Sequence, residues 1–398
     1  MANNLFFSRD TKVFIHAKKA SGSSANDMVW DIPVLDGFSF SQATNATEIT
    51  LNEASNVAAG TSRRGRKMFN DSLAPAEWSF STYMMPFIGA SAGAQGAAGA
   101  AGPAGSQTHH EVSEALWALF FNEDVGTGAV DATGGMTILQ TNANKATVGV
   151  FDLYFVLNAS GANTAYQYAA ASGAQVIYKI ANCSVNEASI DFDLDGIATV
   201  NWSGFGQVIS EAATFTNASG GDMETKLVYE GVGKTDCYIR NRVSDLTIDA
   251  ASPSDVTYLT TMTGGNITMS NNLTYLTPET LGVVNTPLGH VTGTKTIGGS
   301  FTAYLDASGA SAVTQMTDLF EDLITGTDTV TNSMSLTFGI GAGGTVTAPS
   351  CTIVMPTCHL ELPTINVEDV ISIEANFHAL PSDFDSTNEI SSITFLGV

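Results

Sequence analysis

The stretch CTIVMPTCHLELPTINVEDVISIEANFHALP, Cys351–Pro381, has a partner in VIYKIANCSVNEASIDFDLDGIATVNWSGFG, Val176–Gly206. Shifted by 175 residues, the two superpose without a gap. Cys183 falls on Cys358, Val185 on Leu360, Ile190 on Ile365, Phe192 on Val367, Asp193 on Glu368, Val200 on Ala375 and Trp202 on Phe377. In both, apolar residues recur at alternate positions, the period of a half-buried strand.

Upstream segments match in the same order. Thr11-Lys12-Val13-Phe14-Ile15 pairs with Thr225-Lys226-Leu227-Val228-Tyr229, and Leu35–Phe40 with Val243–Ile248. Ser79–Tyr83 pairs with Ser300–Tyr304. Leu116, Leu119 and Phe120 fall on Met316, Leu319 and Phe320, and Phe151, Leu153 and Phe155 near Met334, Leu336 and Phe338. Collinear matches separated only by loop-length changes point to a tandem duplication, which governs architecture before any local feature does. The halves run from 1 to 207 and from 224 to 398, with 208–223, rich in Ser, Gly and Ala, as the linker. Each half is long enough to bury its own core.

Of the 398 residues, 44% are apolar but only 14% are charged, against roughly a quarter in an average domain. Gly, Ala, Ser, Thr and Asn fill the difference, a mixture suited to strands and turns. Strand-like segments are Val13–Ile15, Val29–Val34, Phe38–Phe40, Thr47–Glu53, Glu77–Met84 and Val148–Leu157, then the paired strands quoted above. Thr108-x-x-Glu111 has the form of a capping box and predicts a helix through Phe121; its counterpart is Ala312–Ile324. The expected fold is therefore mainly β: two tandem β-barrel or β-sandwich domains, each with one flanking helix.

The net charge is −24, and from Thr296 to Val398 there are twelve acids and no Lys or Arg. Such a chain does not hold nucleic acid by neutralising phosphates. The charge reads either as solubility or as a surface that repels a polyanion. Met1–Asp10 lacks the pattern of a secretory signal, and no run of about 18 apolar residues occurs. Four cysteines, Cys183, Cys237, Cys351 and Cys358, are too scattered for a disulfide scaffold. The matched positions of Cys183 and Cys358 suggest buried thiols in a reducing compartment.

The motifs that could carry chemistry are weak. Gly89-Ala90-Ser91-Ala92-Gly93 has the spacing of a nucleophile elbow but runs into glycines at 93, 96, 99, 102 and 105, where no helix can start. Those triplets hold one proline, so they read as a flexible loop and not as a triple helix. Asp191-x-Asp193-x-Asp195-Gly196 opens like a calcium loop, yet Trp202 stands where the bidentate Glu is required. Alternation with Phe192 and Leu194 places the three aspartates on one wet strand face. His109-His110-Glu111 lacks the rest of a metal motif. Arg63-Arg64-Gly65-Arg66-Lys67 is a basic loop on an acidic body, suited to docking on another copy.

Glu48-Ile49-Thr50-Leu51-Asn52-Glu53, followed by SRRGRKMFNDSLAPAEWSFSTYM (Ser62–Met84), resembles the first half of a tailed-bacteriophage tail tube protein, and Ile365–Pro381 resembles its closing strands. The resemblance implies a structural virion protein without enzymatic activity or cofactor. Its domains stand six to a ring, and rings stack into a hollow tube for DNA; further tail proteins bind the ends. A doubled chain implies rings of three copies. In that setting Asp191, Asp193, Asp195 and Glu368 are candidates to line the channel. Arg63, Arg64, Arg66 and Lys67 are candidates for contact with the next ring. DNA would pass without sequence-specific binding and nothing would insert in a membrane. The competing readings are an acidic surface-layer or adhesin-like β-repeat protein and a hydrolase built on Ser91.

Overall fold

The computed structural model describes residues 5–17, 28–50, 66–89, 108–123, 129–131, 135–140, 147–159, 175–193, 195–212, 225–227, 238–241, 245–250, 256–277, 286–305, 319, 323, 334–341, 349–367 and 369–396. The first part of the chain contributes β1 (Phe6–Ala17), β2 (Met28–Ile32), β3 (Ser39–Ile49), β4 (Lys67–Tyr83), β5 (Pro86–Gly89) and β6 (Thr108–Glu111). Helix α1 (Glu114–Phe121) follows, then β7 (Ala129–Asp131), β8 (Gly135–Leu139), β9 (Phe151–Ala159), β10 (Gln175–Phe192), β11 (Thr199–Gly206) and β12 (Ile209–Glu211). The second part contributes β13 (Thr225–Leu227), β14 (Asp245–Ala250), β15 (Val256–Ser270), β16 (Thr274–Leu276), β17 (Gly289–Val291) and β18 (Thr296–Tyr304). It ends with β19 (Met334–Gly341), β20 (Ser350–Leu360), β21 (Thr364–Asn366), β22 (Ser372–Ala379) and β23 (Ser392–Leu396). The architecture is a mainly-β sandwich, as the composition predicts.

One pairing circuit occurs twice. In the first, β9 pairs with β1 and β10, β10 with β11, and β11 with β4. Strand β4 pairs with β3 and meets Val34, just after β2, while β2 returns to β1. In the second, β19 pairs with β14 and β20, β20 and β21 with β22, β22 with β18, β18 with β15, and β15 with β14. The registers coincide. Cys183, Ile180 and Tyr178 oppose Phe151, Leu153 and Phe155; Cys358, Met355 and Ile353 oppose Met334, Leu336 and Phe338. The ladder slips at the same place in both. In both, the buried thiol donates to the carbonyl three residues back, Ile180 at 3.4 Å and Met355 at 3.8 Å.

The pairing corrects several sequence matches. Strand β14 stands to β19 as β1 stands to β9, with Val13, Ile15, Leu246 and Ile248 all buried. Strand β15 alone takes the positions of β2 and β3, so Trp30 and Tyr258 fill corresponding core sites. Thr225–Leu227 instead lies parallel to β2. The gapless superposition also fails beyond β21. Ile190 pairs with Val200, ten residues on, whereas Ile365 pairs with Ile373, eight on. Trp202 therefore corresponds to Ala375 and not to Phe377.

The helix prediction needs a second correction. Thr108–Glu111 is a strand against β5, and α1 begins only at Glu114. The Glu111 carboxyl accepts from the Ser113 N–H and hydroxyl, both at 2.7 Å, and the Ser113 side chain makes no capping bond to the helix. The helix is buried on every side, as an octet apolar at all positions after Glu114 requires. Trp117 packs edge-on against Trp202, ring centres 4.7 Å apart, and the Trp202 Nε1–H donates to Thr82 Oγ1 at 3.1 Å. The counterpart Ala312–Ile324 lies outside the described residues except Leu319 and Leu323, both helical. Thr47–Ile49, expected to be half-buried, is exposed at every position.

The two circuits share hydrogen bonds. Residues Glu187–Phe192 of β10 pair with Ser270–Gly265 of β15. This gives one continuous order: β3, β4, β11, β10, β15, β18, β22, β21. Strand β23 bridges β20 to β8, and β12, inside the stretch read as a linker, pairs with β10. Glycine is required where strands press together. A Cβ on Gly204 would collide with the Trp78 ring and the Ser184 carbonyl.

Candidate channel face and assembly edges

The inward residues of the eight-stranded sheet are large and apolar: Trp78, Phe80, Val200, Trp202, Ile190, Ile267, Phe301, Ile373 and Phe377. Alternation forces their neighbours onto the opposite face. There the residues are small and polar. Ser39, Ser79, Ser203, Glu187, Ser270 and Thr296 stand side by side in one row across six strands. A second row contains Ser81, Asn201, Ser189, Thr268, Gly298 and His378. Ser81 Oγ donates to Asn201 Oδ1 at 2.7 Å, and Asn201 Nδ2 donates to Asp191 Oδ2 at 3.1 Å. The face carries Glu77, Glu187, Asp191 and Glu374, and among its described residues there is no Lys or Arg.

Of the residues proposed from sequence to line a channel, Asp191 lies on this face. The strand ends at Phe192, so Asp193 and Asp195 lie in the hairpin turn beyond it, both exposed, with Gly196 at φ +118°. They sit at the sheet's rim beside Ile239–Asn241, whose backbone binds Ala198 and Gly196. The three aspartates thus do not share a strand face. Glu368 and Leu194 lie outside the described residues. The neutral rows and Glu77, Glu187 and Glu374 escaped the sequence reading, because single serines and threonines give no signal until pairing aligns them.

Of the basic loop, Arg66 and Lys67 are described and exposed; Arg63 and Arg64 lie outside the described residues, as does Ser91. Arg66 grips Glu48 through two bonds, Nε to Oε1 at 2.7 Å and Nη2 to Oε2 at 2.8 Å. That grip holds the Glu48 carboxyl below its ordinary range. The pair lies on a two-stranded arm, the outer part of the β3–β4 hairpin, which also exposes Ile49, Met68 and Phe69. Other cations are also paired. Lys12 binds Asp31 at 2.9 Å and Lys179 binds Asp152 at 2.8 Å. Burial raises the Asp152 carboxyl, but His16, Lys179 and the Asn182 N–H outweigh it and hold it far below the usual carboxylate range.

Glu111 is a buried carboxyl of another kind. Burial, with some repulsion from Glu114, outweighs its bonds from Ser113 and pushes it up to about 8. It lies inside the sandwich beside α1, away from the polar face, and serves no surface chemistry.

This geometry offers a smooth polar face and long strand edges. A family model described as phage tail tube protein matches residues 79–379. The chain belongs to the family of phage tail tube proteins, structural components of the virion. Tail tube protein pb6 of Escherichia phage T5 is 30% identical over 385 residues, which is 96% of this chain and 74% of that protein. The surface-layer or adhesin reading is not favoured by these matches. Among the described residues no helix is long and apolar enough to cross a membrane.

Proposed function

We propose that residues 1–207 and 224–398 are two tube modules joined through 208–223, that three chains close into a ring of six modules, and that rings stack into the tail tube. The recurrence of one pairing circuit, with the same slip and the same thiol bond, supports two modules per chain. The polar face lines the channel in this reading. The observation that carries it is the pair of polar rows, rich in hydroxyls and with no Lys or Arg among the described residues, across both modules. DNA passing along such a wall finds no phosphate partner and does not stick.

The β3–β4 arm makes the contact between rings. An uncovered two-stranded arm is marginal alone, and this one ends in Arg66 and Lys67, next to Arg63 and Arg64 in sequence. Arg66 and its neighbours engage acidic surface on the next ring, and Ile49, Met68 and Phe69 are covered there. Other tail proteins cap the tube ends. Mass measurement and class averaging of isolated rings tests the stoichiometry: three full-length chains and pseudo-sixfold density are expected, and six full-length chains per ring would overturn it.

A further inference from the structure

Among the described residues two histidines stand on the polar face, and they stand opposite each other. His359 of β20 faces His378 of β22, with the rings 16° from parallel and their centres 6.5 Å apart. The neighbours Cys358, Leu360, Phe377 and Ala379 are all buried, so both imidazoles project outward, and both are exposed. Gly298 of β18 makes room beside them: a Cβ there would press on the Phe377 carbonyl and on His378 Nδ1.

One carboxylate is already at the pair. Glu361 Oε1 lies 3.6 Å from His378 Nε2, and Asn376 Nδ2 donates to Glu361 Oε2 at 2.8 Å. The Asn376 amide, followed by the two imidazoles, holds the Glu361 carboxyl below its ordinary range. On β22 the next outward residues are Asn376 and Glu374, and on β18 Gly298 and Ser300 bring no charge. Lys295 and Glu389 line a cavity that also reaches His378, but the Lys295 ammonium lies 5.0 and 4.9 Å over the Phe120 and Phe121 rings.

Histidine is the side chain whose charge changes between about pH 5 and 8. At the upper end of that range the pair adds no positive charge to a face without Lys or Arg. At the lower end it adds two charges on facing positions of neighbouring strands, where like charges repel. Glu361 offsets one of them, and an anion from outside would offset the other.

We infer that His359 and His378 form a proton-gated contact for the phosphates of DNA, closed near neutral pH and open below about pH 6. The inference rests on the reading of this face as the channel wall, and adds the place and the condition at which the wall ceases to be inert. A phosphodiester keeps its single negative charge throughout this range, so only the imidazoles change. Three chains to a ring carry three such pairs, and stacked rings repeat them along the tube, so that many weak contacts act together on one DNA molecule. Glu361 opposes the contact, because its carboxylate competes with phosphate for His378.

The test has two arms. In the first, ring-proton NMR follows the histidines of the isolated chain from about pH 5 to 8, with and without a short oligothymidylate. A twofold preference of the oligonucleotide for the charged pair raises its protonation midpoints by about 0.3 pH unit. At least that shift is expected at His359 and His378, and none at the buried His16. Glu361→Gln should enlarge the shift, and His378→Asn should abolish it at His359. Midpoints that ignore the oligonucleotide, or an undiminished response of His359 in His378→Asn, would overturn the contact while leaving the ring and channel readings intact. In the second arm, assembled tubes are sedimented with duplex DNA near pH 5.5 and near pH 7.5. Retention at the lower pH is expected from native tubes and not from tubes carrying His359→Asn with His378→Asn. A response in the isolated chain without pH-dependent retention by tubes would remove this face from the channel, and the gate with it.

Discussion

Replacing Glu111 by Gln should change how stability depends on pH, in a direction set by burial. The Glu111 side chain is fully buried, and Oε1 has no hydrogen-bond partner. Its carboxyl titrates near pH 8, against 4.5 for an ordinary Glu. Because the folded value is raised, the folded chain holds the proton more tightly than the unfolded chain between those limits. Stability is then lost as pH rises from about 4.5 to about 8, and the slope vanishes above. Each pH unit is worth about 1.4 kcal/mol, which over this interval gives an upper bound of about 4 to 5 kcal/mol. Gln cannot ionise, so the variant lacks that slope. It can be somewhat weaker than the native chain at pH 5, where one hydrogen bond is altered, and should gain on it steadily toward pH 8. Urea midpoints for both chains at half-unit steps from pH 5 to 9 measure the difference, and contributions from other groups cancel. Parallel curves would refute the reasoning.

Two further outcomes follow from the surface. Ser189→Lys with Ser203→Lys places cations on the polar face at half-buried, solvent-facing positions, so folding should change by less than about 1 kcal/mol; tubes should retain DNA in a salt-dependent way, read by co-sedimentation, and retention equal to native would remove this face from the channel. Replacing Arg63, Arg64, Arg66 and Lys67 together by Ser should leave soluble rings that stack poorly under the electron microscope, while Arg66→Ser alone should leave the melting curve essentially unchanged because its pair with Glu48 is exposed; normal stacking by the fourfold variant would refute the contact.

The strand pair of each circuit was legible because alternation survives in every register. Val200 and Trp202, or Ile373, Ala375 and Phe377, announce a buried face whatever their partners are. What alternation cannot give is the alignment of one strand with another. The pattern of β14 resembles that of several strands, and only its pairing with β19 shows that it corresponds to β1. The two-residue difference in the hairpin after β21 was invisible for a similar reason: shifting by an even number keeps every apolar residue inward. The capping-box spacing at Thr108 misled because Glu111 was already engaged by Ser113. The candidate face was legible only at Asp191, since its other members are residues that occur in any turn.

Strand β10 has a mechanical consequence. Its first half belongs with β9 and β12, and its second half lies between β11 and β15. A single covalent ribbon of 18 residues is thus a structural member of both pairing circuits. Load applied to either circuit is carried into the other along backbone bonds and in-plane hydrogen bonds, without relying on a hinge. Separating the circuits would strip β15 of its neighbour along six residues and expose Ile267 and Phe338. The two circuits therefore behave as one beam, not as two beads on a string.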